Sequence, residues 1–376
     1  MNQPDPTPPS PSAPPPRTAE ATRSSGQVQA NEANILAQAQ ASLAGSGLPP
    51  LPDGLPAPVI DSHTHLDAVL EHSGLDPEEA LALAAAVGVD RLVQVGCDEA
   101  DSVWAAAFAA RHPQVVAAVA LHPNEVARHP ERVAAGLAQI ERLAQAGPWV
   151  RAIGETGLDY FRTRDPAAQA RQRDAFAAHI ALAAAFDLTL VIHDRDAHGD
   201  ILDLLAAGPV PSRVVMHCFS GDADLARRCV ARGYWLSFPG PLTYKANADL
   251  RQALAVAPPE LILVETDAPY LTPVPARGRP NSTYLMPHTV RFLAQRRGWD
   301  LDWACHRLTA NTLAAFGGDW GGVGATPTRP GSETIPSTPT TCRDRTEPVP
   351  RTAPARPDAP PTQAGLGPIP PEPTDD

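Results

Sequence analysis

Val59-Ile60-Asp61-Ser62-His63-Thr64-His65-Leu66-Asp67 sets the reading of the whole chain. Two branched apolar residues open a strand that runs straight into an H-x-H pair, and residues two apart on a strand share a face. Seven further strand candidates follow: Arg91 to Cys97, Val115 to Leu121, Trp149 to Gly154, Leu188 to His193, Arg213 to Cys218, Tyr234 to Phe238 and Leu261 to Glu265. Alanine- and leucine-rich stretches of helical period separate them, among them Pro77 to Gly88, Ala167 to Phe186 and Asp222 to Arg232. Eight β-then-α units in about 250 residues is the arithmetic of a (β/α)8 TIM barrel. A doubly wound open sheet is the alternative, but no G-x-G-x-x-G follows the first strand.

The rest of the composition frames that domain. The chain has 376 residues and 44 prolines, of which 27 lie in residues 1 to 58 or 318 to 376. Residues 1–58 read as a disordered Pro/Ala-rich extension with one weak helix within Asn31 to Ala44, and residues 318–376 as a disordered Pro-rich tail. The barrel is expected over 59–317. A net charge of −12 argues against a broad basic surface for duplex nucleic acid. Five cysteines without a C-x-x-C pair suggest neither a disulfide framework nor a thiolate zinc site, and no apolar run is long enough to span a membrane. A cytoplasmic monomer is expected.

Active sites on this fold sit at the C-terminal ends of the strands. There the sequence places His63 and His65, Glu155, His193, His217 and Asp267. Imidazoles and carboxylates without thiolates suit Zn²⁺, Mn²⁺ or Fe²⁺, and a carboxylate-rich position accepts Mg²⁺. Six protein ligands exceed what one catalytic zinc uses, so two divalent ions are expected, with Glu155 the natural bridge. A carbamylated-lysine bridge is excluded, because the only lysine, Lys245, lies beyond the seventh strand. His122 reads as a residue that supports a metal ligand, a substrate group or a turn cap. Asp159, Asp196 and Glu265 read as orienting residues or loop caps.

At these residues the chain resembles the TatD family of metal-dependent hydrolases, often called TatD DNases. The motifs are Asp61-Ser62-His63-Thr64-His65-Leu66-Asp67, Leu121-His122-Pro123, Gly154-Glu155-Thr156-Gly157-Leu158-Asp159-Tyr160, His193-Asp194-Arg195-Asp196-Ala197, His217-Cys218-Phe219-Ser220-Gly221, Ser237-Phe238-Pro239-Gly240 and Glu265-Thr266-Asp267-Ala268-Pro269-Tyr270-Leu271. The resemblance implies one ion on His63, His65, Glu155 and Asp267, and another on Glu155, His193 and His217. It also implies 3′-to-5′ exonuclease action on DNA, with single-stranded ends as the substrate. Asp194 stands where the family usually has Ser, and His179 where it has Gln. Arg277-Gly278-Arg279-Pro280-Asn281-Ser282-Thr283 lacks the family's Asn-Glu-Pro ending.

The expected mechanism is attack on a phosphodiester by water held between the ions, with catalytic roles for Glu155 and Asp267 and Asp267 as proton acceptor. His122, Arg195, Arg277 and Arg279 are the expected substrate-binding residues. Two other readings stand beside it: an amide or ester hydrolase, such as a D-aminoacyl-tRNA deacylase, and a protein whose Pro-rich tails dock a partner.

Overall fold

The computed structural model describes residues 34–41, 43, 47–209, 211–318 and 320–321. Eight parallel strands follow one another in chain order around one sheet. They are β1 (Val59–Thr64), β2 (Val89–Val95), β3 (Val115–Val119), β4 (Val150–Asp159), β5 (Thr189–Arg195), β6 (Val214–Met216), β7 (Trp235–Phe238) and β8 (Ile262–Val264). At least one α-helix lies between each strand and the next, the crossover that a parallel pair requires. All eight expected strands are present. β4 and β5 run further than the apolar runs indicated, to Asp159 and Arg195, so their polar ends remain in the ladder.

The barrel closes through residues just beyond β8. The Asp267 amide donates to the His63 carbonyl and the His65 amide to that of Ala268, both at 2.9 Å. Buried Asp61 accepts from the Thr266 amide at 3.0 Å and its hydroxyl at 2.5 Å.

Two local irregularities decide what faces the axis. Ile60 packs inside the barrel with Val93, Val116, Ala152, Val191, Val215 and Leu263. Strict alternation from Ile60 would turn Ser62 and Thr64 inward. The register against β2, however, advances from Asp61 to Thr64 while β2 advances only from Leu92 to Gln94. The extra residue is a bulge, which exchanges faces and turns His63 and His65 to the axis. β4 gains a residue against β5 between Ile153 and Thr156, which brings Glu155 inside. β5 and β6 pair without a shift, so His193 follows Val191 and His217 follows Val215. Gly157 permits the β4–β5 approach: its φ is +140°, and a Cβ there would lie 2.1 Å from the His193 carbonyl oxygen.

The ordered chain exceeds the expected domain at both ends. Residues 47–58, read from the sequence as disordered, pack on the barrel. Tyr284 donates its hydroxyl to the Pro49 carbonyl at 2.6 Å, and the Leu55 amide donates to Val87 at 2.9 Å. Leu48 is buried, with Leu51 and Leu55 packed against the core, an apolar side that the proline content masks. The weak helix expected near residues 31–44 is present over 34–41. Trp320, assigned to the tail, is buried on the interior cluster with Phe316, and its Nε1 donates to the Gln114 carbonyl beside the start of β3. The expected disorder of residues 1–33 and 322–376 falls outside the described residues. Among the described residues no helix is long and apolar enough to cross a membrane.

Helix Glu99–Ala109 carries one buried carboxyl, Asp101, whose Oδ1 has no hydrogen-bond partner. Burial, and then the neighbouring Asp67 and Asp98, push its pKa up to about 9. The folded value therefore lies above the unfolded one of about 3.9. The contribution of this group is fully present below about pH 3.9 and is lost progressively as pH rises through 9. Asp101→Asn is expected to raise the thermal midpoint at pH 8 by a few degrees and to flatten the decline of stability between pH 5 and 9. Parallel wild-type and mutant pH profiles would show that the carboxyl is not held neutral.

Candidate metal centre

The six residues expected to bind metal converge at the C-terminal mouth. Glu155 lies among them, and its two oxygens face different neighbours. Oε2 is 3.5 Å from His63 Nε2 and 3.9 Å from His65 Nε2. Oε1 is 2.7 Å from His193 Nδ1, 3.3 Å from His217 Nε2 and 3.3 Å from His122 Nε2. Asp267 Oδ1 joins the first group, 3.4 Å from His65 Nε2 and 3.7 Å from His63 Nε2, while the two Nε2 atoms are 3.1 Å apart. Bonds of about 2.1 Å to a tetrahedral cation place its ligand atoms about 3.4 Å from one another. His63, His65 and Glu155 come near that spacing, and Asp267 groups with His63 and His217. Among the described residues, His63-His65-Glu155 and His122-Glu155-His193 are both groups that could hold a metal ion.

The outer ring nitrogens separate cation donors from hydrogen-bond donors. His65 Nδ1 lies 2.9 Å from the Val95 carbonyl, so it carries the proton and leaves a lone pair on Nε2. His217 Nδ1 lies 3.1 Å from Glu265 Oε1, an acid held in place by the Cys218 amide at 2.7 Å. His193 Nε2 faces Asp159 Oδ2 at 3.4 Å, which leaves Nδ1 for the centre. Hydrogen-bonded outer partners fix the tautomer of metal-binding histidines; His65 has one, while His217 and His193 face carboxylates at ion-pair distance. His122 is the reverse: Nδ1 accepts the Asn124 amide at 3.1 Å and caps helix Pro123–Arg128. Its proton is then on Nε2, which donates to Glu155. Thus His122 belongs to the centre while supplying a proton rather than a lone pair.

Burial and charge act against each other here. Burial, then the charge on His217, holds His63 down to about 4. Burial would also lower His193, but hydrogen bonds with Asp159 and Glu155 prevail and raise it to about 9. His217 is likewise raised despite burial, by Glu265 and Glu155. Burial opposes ionisation of Glu155, yet the surrounding imidazoles hold its carboxyl well below the usual range. Asp267 is pushed well above that range by burial. Without a cation, the imidazoles supply the positive charge that the carboxylates demand. The open side is marked by side-chain exposures of 17% for His193 and 14% for Asp267, against 0% for His63.

Asp267 and Cys218 adopt φ of +50° and +43°, conformations that cost of order 1–3 kcal/mol and collect at functional sites. Three further residues support the centre without belonging to the expected ligand set. Gln94 accepts the Leu66 amide at 2.8 Å and donates to Asp67 at 2.8 Å, fixing the exit from β1. Asp61 ties β1 to Thr266. His179, the departure on helix Pro166–Ala185, is fully buried. It accepts the Leu121 amide on Nε2 at 3.2 Å, so Nδ1 carries the proton between Thr156 Oγ1 and the Ala175 carbonyl. This ring braces the residues next to both Glu155 and His122.

The expected substrate residues divide. Arg195 lies at the mouth over the Phe161 ring, and Arg277 over Tyr244 on the following rim. Arg279 is drawn away. Its guanidinium donates to the Gly47 and Leu48 carbonyls, a capture that depends on the ordered residues before the barrel. Asp194 does not add free negative charge beside His193, because its Oδ2 lies 2.7 Å from His198 Nδ1. In the loop after β8, Asn281 bonds the Thr266 and Tyr270 carbonyls, at 2.9 and 2.6 Å, and Thr283 contacts Thr64. This polar network anchors the loop without an Asn-Glu-Pro ending.

A (β/α)8 barrel with histidines and carboxylates spaced for divalent cations belongs to the broad class of metal-dependent barrel hydrolases. Comparison with known proteins narrows the class. A family model described as TatD related DNase matches residues 60–317. An uncharacterized metal-dependent hydrolase TatD of Mycobacterium tuberculosis is 41% identical over 265 residues, covering 70% of this chain and 99% of the relative. A 3′-5′ ssDNA/RNA exonuclease TatD of Cronobacter sakazakii is 35% identical, covering 64% of this chain and 92% of the relative. The crystal structure of the TatD homolog YjjV from Escherichia coli superposes with a TM-score of 0.63 at 28% identity, covering 69% of this chain and 97% of that one. The chain belongs to the TatD family of metal-dependent hydrolases.

Restoring Zn²⁺ or Mn²⁺ to chelator-stripped protein is expected to raise its melting temperature, by about 2.7 kcal/mol of stabilisation at a hundred times Kd. Glu155→Gln is expected to lose most of this gain and His122→Gln to keep it. Cation affinity, measured by calorimetry, is expected to weaken as pH falls, because His193 must release its proton.

Proposed function

We propose that this protein is a divalent-metal-dependent deoxyribonuclease that removes nucleotides from single-stranded DNA ends in the 3′-to-5′ direction. The observation that carries the reading is the division of Glu155: one oxygen toward His63 and His65, the other toward His193 and His217. That arrangement suits two cations sharing one carboxylate, with Mg²⁺, Mn²⁺ and Zn²⁺ all compatible with the donor set. Bound cations would make water a nucleophile near neutral pH and offset the charge that builds on a phosphodiester. His63, His65 and Asp267 would hold one ion, and His193 and His217 the other.

The side chains supply the rest. Asp267, partly exposed beside His65, orients the attacking water and takes its proton. His122, with its proton on Nε2, holds Glu155 in place. Arg195, over Phe161, and Arg277, over Tyr244, would hold phosphates. These contacts are local, which reconciles an acidic chain with a polyanionic substrate, and binding should weaken with salt. The exonuclease name carried by the Cronobacter relative supports DNA ends over amide or ester substrates.

The test is release of mononucleotides from end-labelled single-stranded DNA by metal-restored protein. Asp267→Asn is expected to lower kcat by at least about a hundredfold with little change in KM. A folded, metal-loaded wild type that leaves DNA intact yet hydrolyses D-aminoacyl esters would overturn the nuclease reading in favour of the deacylase.

A further inference from the structure

At the ends of β4 and β5 the mouth carries an aromatic ring with two guanidiniums against it. Arg195 Cζ is 4.2 Å and Arg164 Cζ 5.7 Å from the centroid of Phe161. Neither arginine makes a side-chain hydrogen bond or an ion pair among the described residues. Their neighbours are committed: Tyr160 bonds Asp200 and Arg173, and Arg162 lies 3.9 Å from Asp159.

The position is set by the ladder. Arg195 pairs with Asp159, whose carboxylate faces His193, and the Tyr160 amide donates to the Arg195 carbonyl at 2.9 Å. Arg195 is thus two residues beyond His193 and Phe161 two beyond Asp159. Two residues along a strand span about 7 Å, the scale of one nucleotide. The intervening acid, Asp194, is turned to His198. A half-buried ring bearing uncommitted guanidiniums, one step from a phosphodiester centre, matches both parts of a nucleotide: a flat base and an anionic phosphate.

We infer that Phe161, Arg195 and Arg164 form a subsite for the nucleotide adjoining the scissile phosphodiester, a deepening that rests on the nuclease reading. The guanidiniums bind its phosphate, and the Phe161–Arg195 stack supports its base. Every base has a π-face, so the subsite accepts any sequence but requires an unpaired base.

Two measurements test it. The first is binding of a fluorescent oligothymidylate to Asp267→Asn protein by anisotropy. Adding Phe161→Ala is expected to weaken binding by roughly tenfold to a hundredfold, and Phe161→Trp to restore it. An oligonucleotide with one abasic site at the adjoining position should bind the Phe161 protein as weakly, with little further loss on Phe161→Ala. The second is turnover: Phe161→Ala should reduce the preference for oligonucleotide over bis(p-nitrophenyl) phosphate by a similar factor. Unchanged anisotropy in Phe161→Ala, or no penalty for the abasic strand, overturns the subsite even if the nuclease is active. Absence of phosphodiester hydrolysis by wild type overturns the nuclease reading instead, and anisotropy still decides the subsite; no oligonucleotide binding at all sinks both.

Discussion

A carboxylate cannot remain charged at the axis of a barrel unless positive charge surrounds it, and Glu155 sets that requirement. It is 3% exposed, yet it is held ionised by the imidazoles about it. Every strand end near it is arranged to meet this demand. β1, β5 and β6 deliver imidazoles, and the residues after β8 deliver the second acid and the carbonyl contacts that complete the circle. The outer carboxylates Asp159 and Glu265 stand beside the outer nitrogens of His193 and His217. A divalent cation suits this surface because it replaces protons that the acids otherwise draw onto His193 and His217.

The strand order, the helices between strands and the positions of His63, His65, Glu155, His193, His217 and Asp267 were legible in the sequence. Apolar runs that stop at polar residues reveal where a strand meets the mouth. What such runs do not encode is phase. Ile60 and His63 both face inward although they are three positions apart, and the bulge responsible has no signature in residue type. Gln94 and His179 were hidden for another reason: their importance lies in accepting backbone amides from segments distant in sequence. His122 was left among three roles, and the structure combines two of them, since one nitrogen caps a helix while the other touches Glu155.

Arginine positions were the least legible. A guanidinium reaches whatever acceptor the fold places nearby, and Arg279 meets carbonyls from residues that composition alone marks as a loose extension. Arg195 and Arg164 instead meet a ring. Loop arginines with the same charge and similar placement in the chain therefore arrive in quite different surroundings.

The contact between residues 47–49 and the loop after β8 bears on how this barrel can be cut. The family match begins at residue 60, but packing against the barrel begins earlier. Trimming the chain to the family boundary would strand the buried Tyr284 hydroxyl without the Pro49 carbonyl, a loss of about 1–3 kcal/mol. It would also free the Arg279 side chain into the solvent near the mouth. Residues outside the family match are thereby part of the packing of the barrel, so a fusion partner at this end belongs upstream of Gly47.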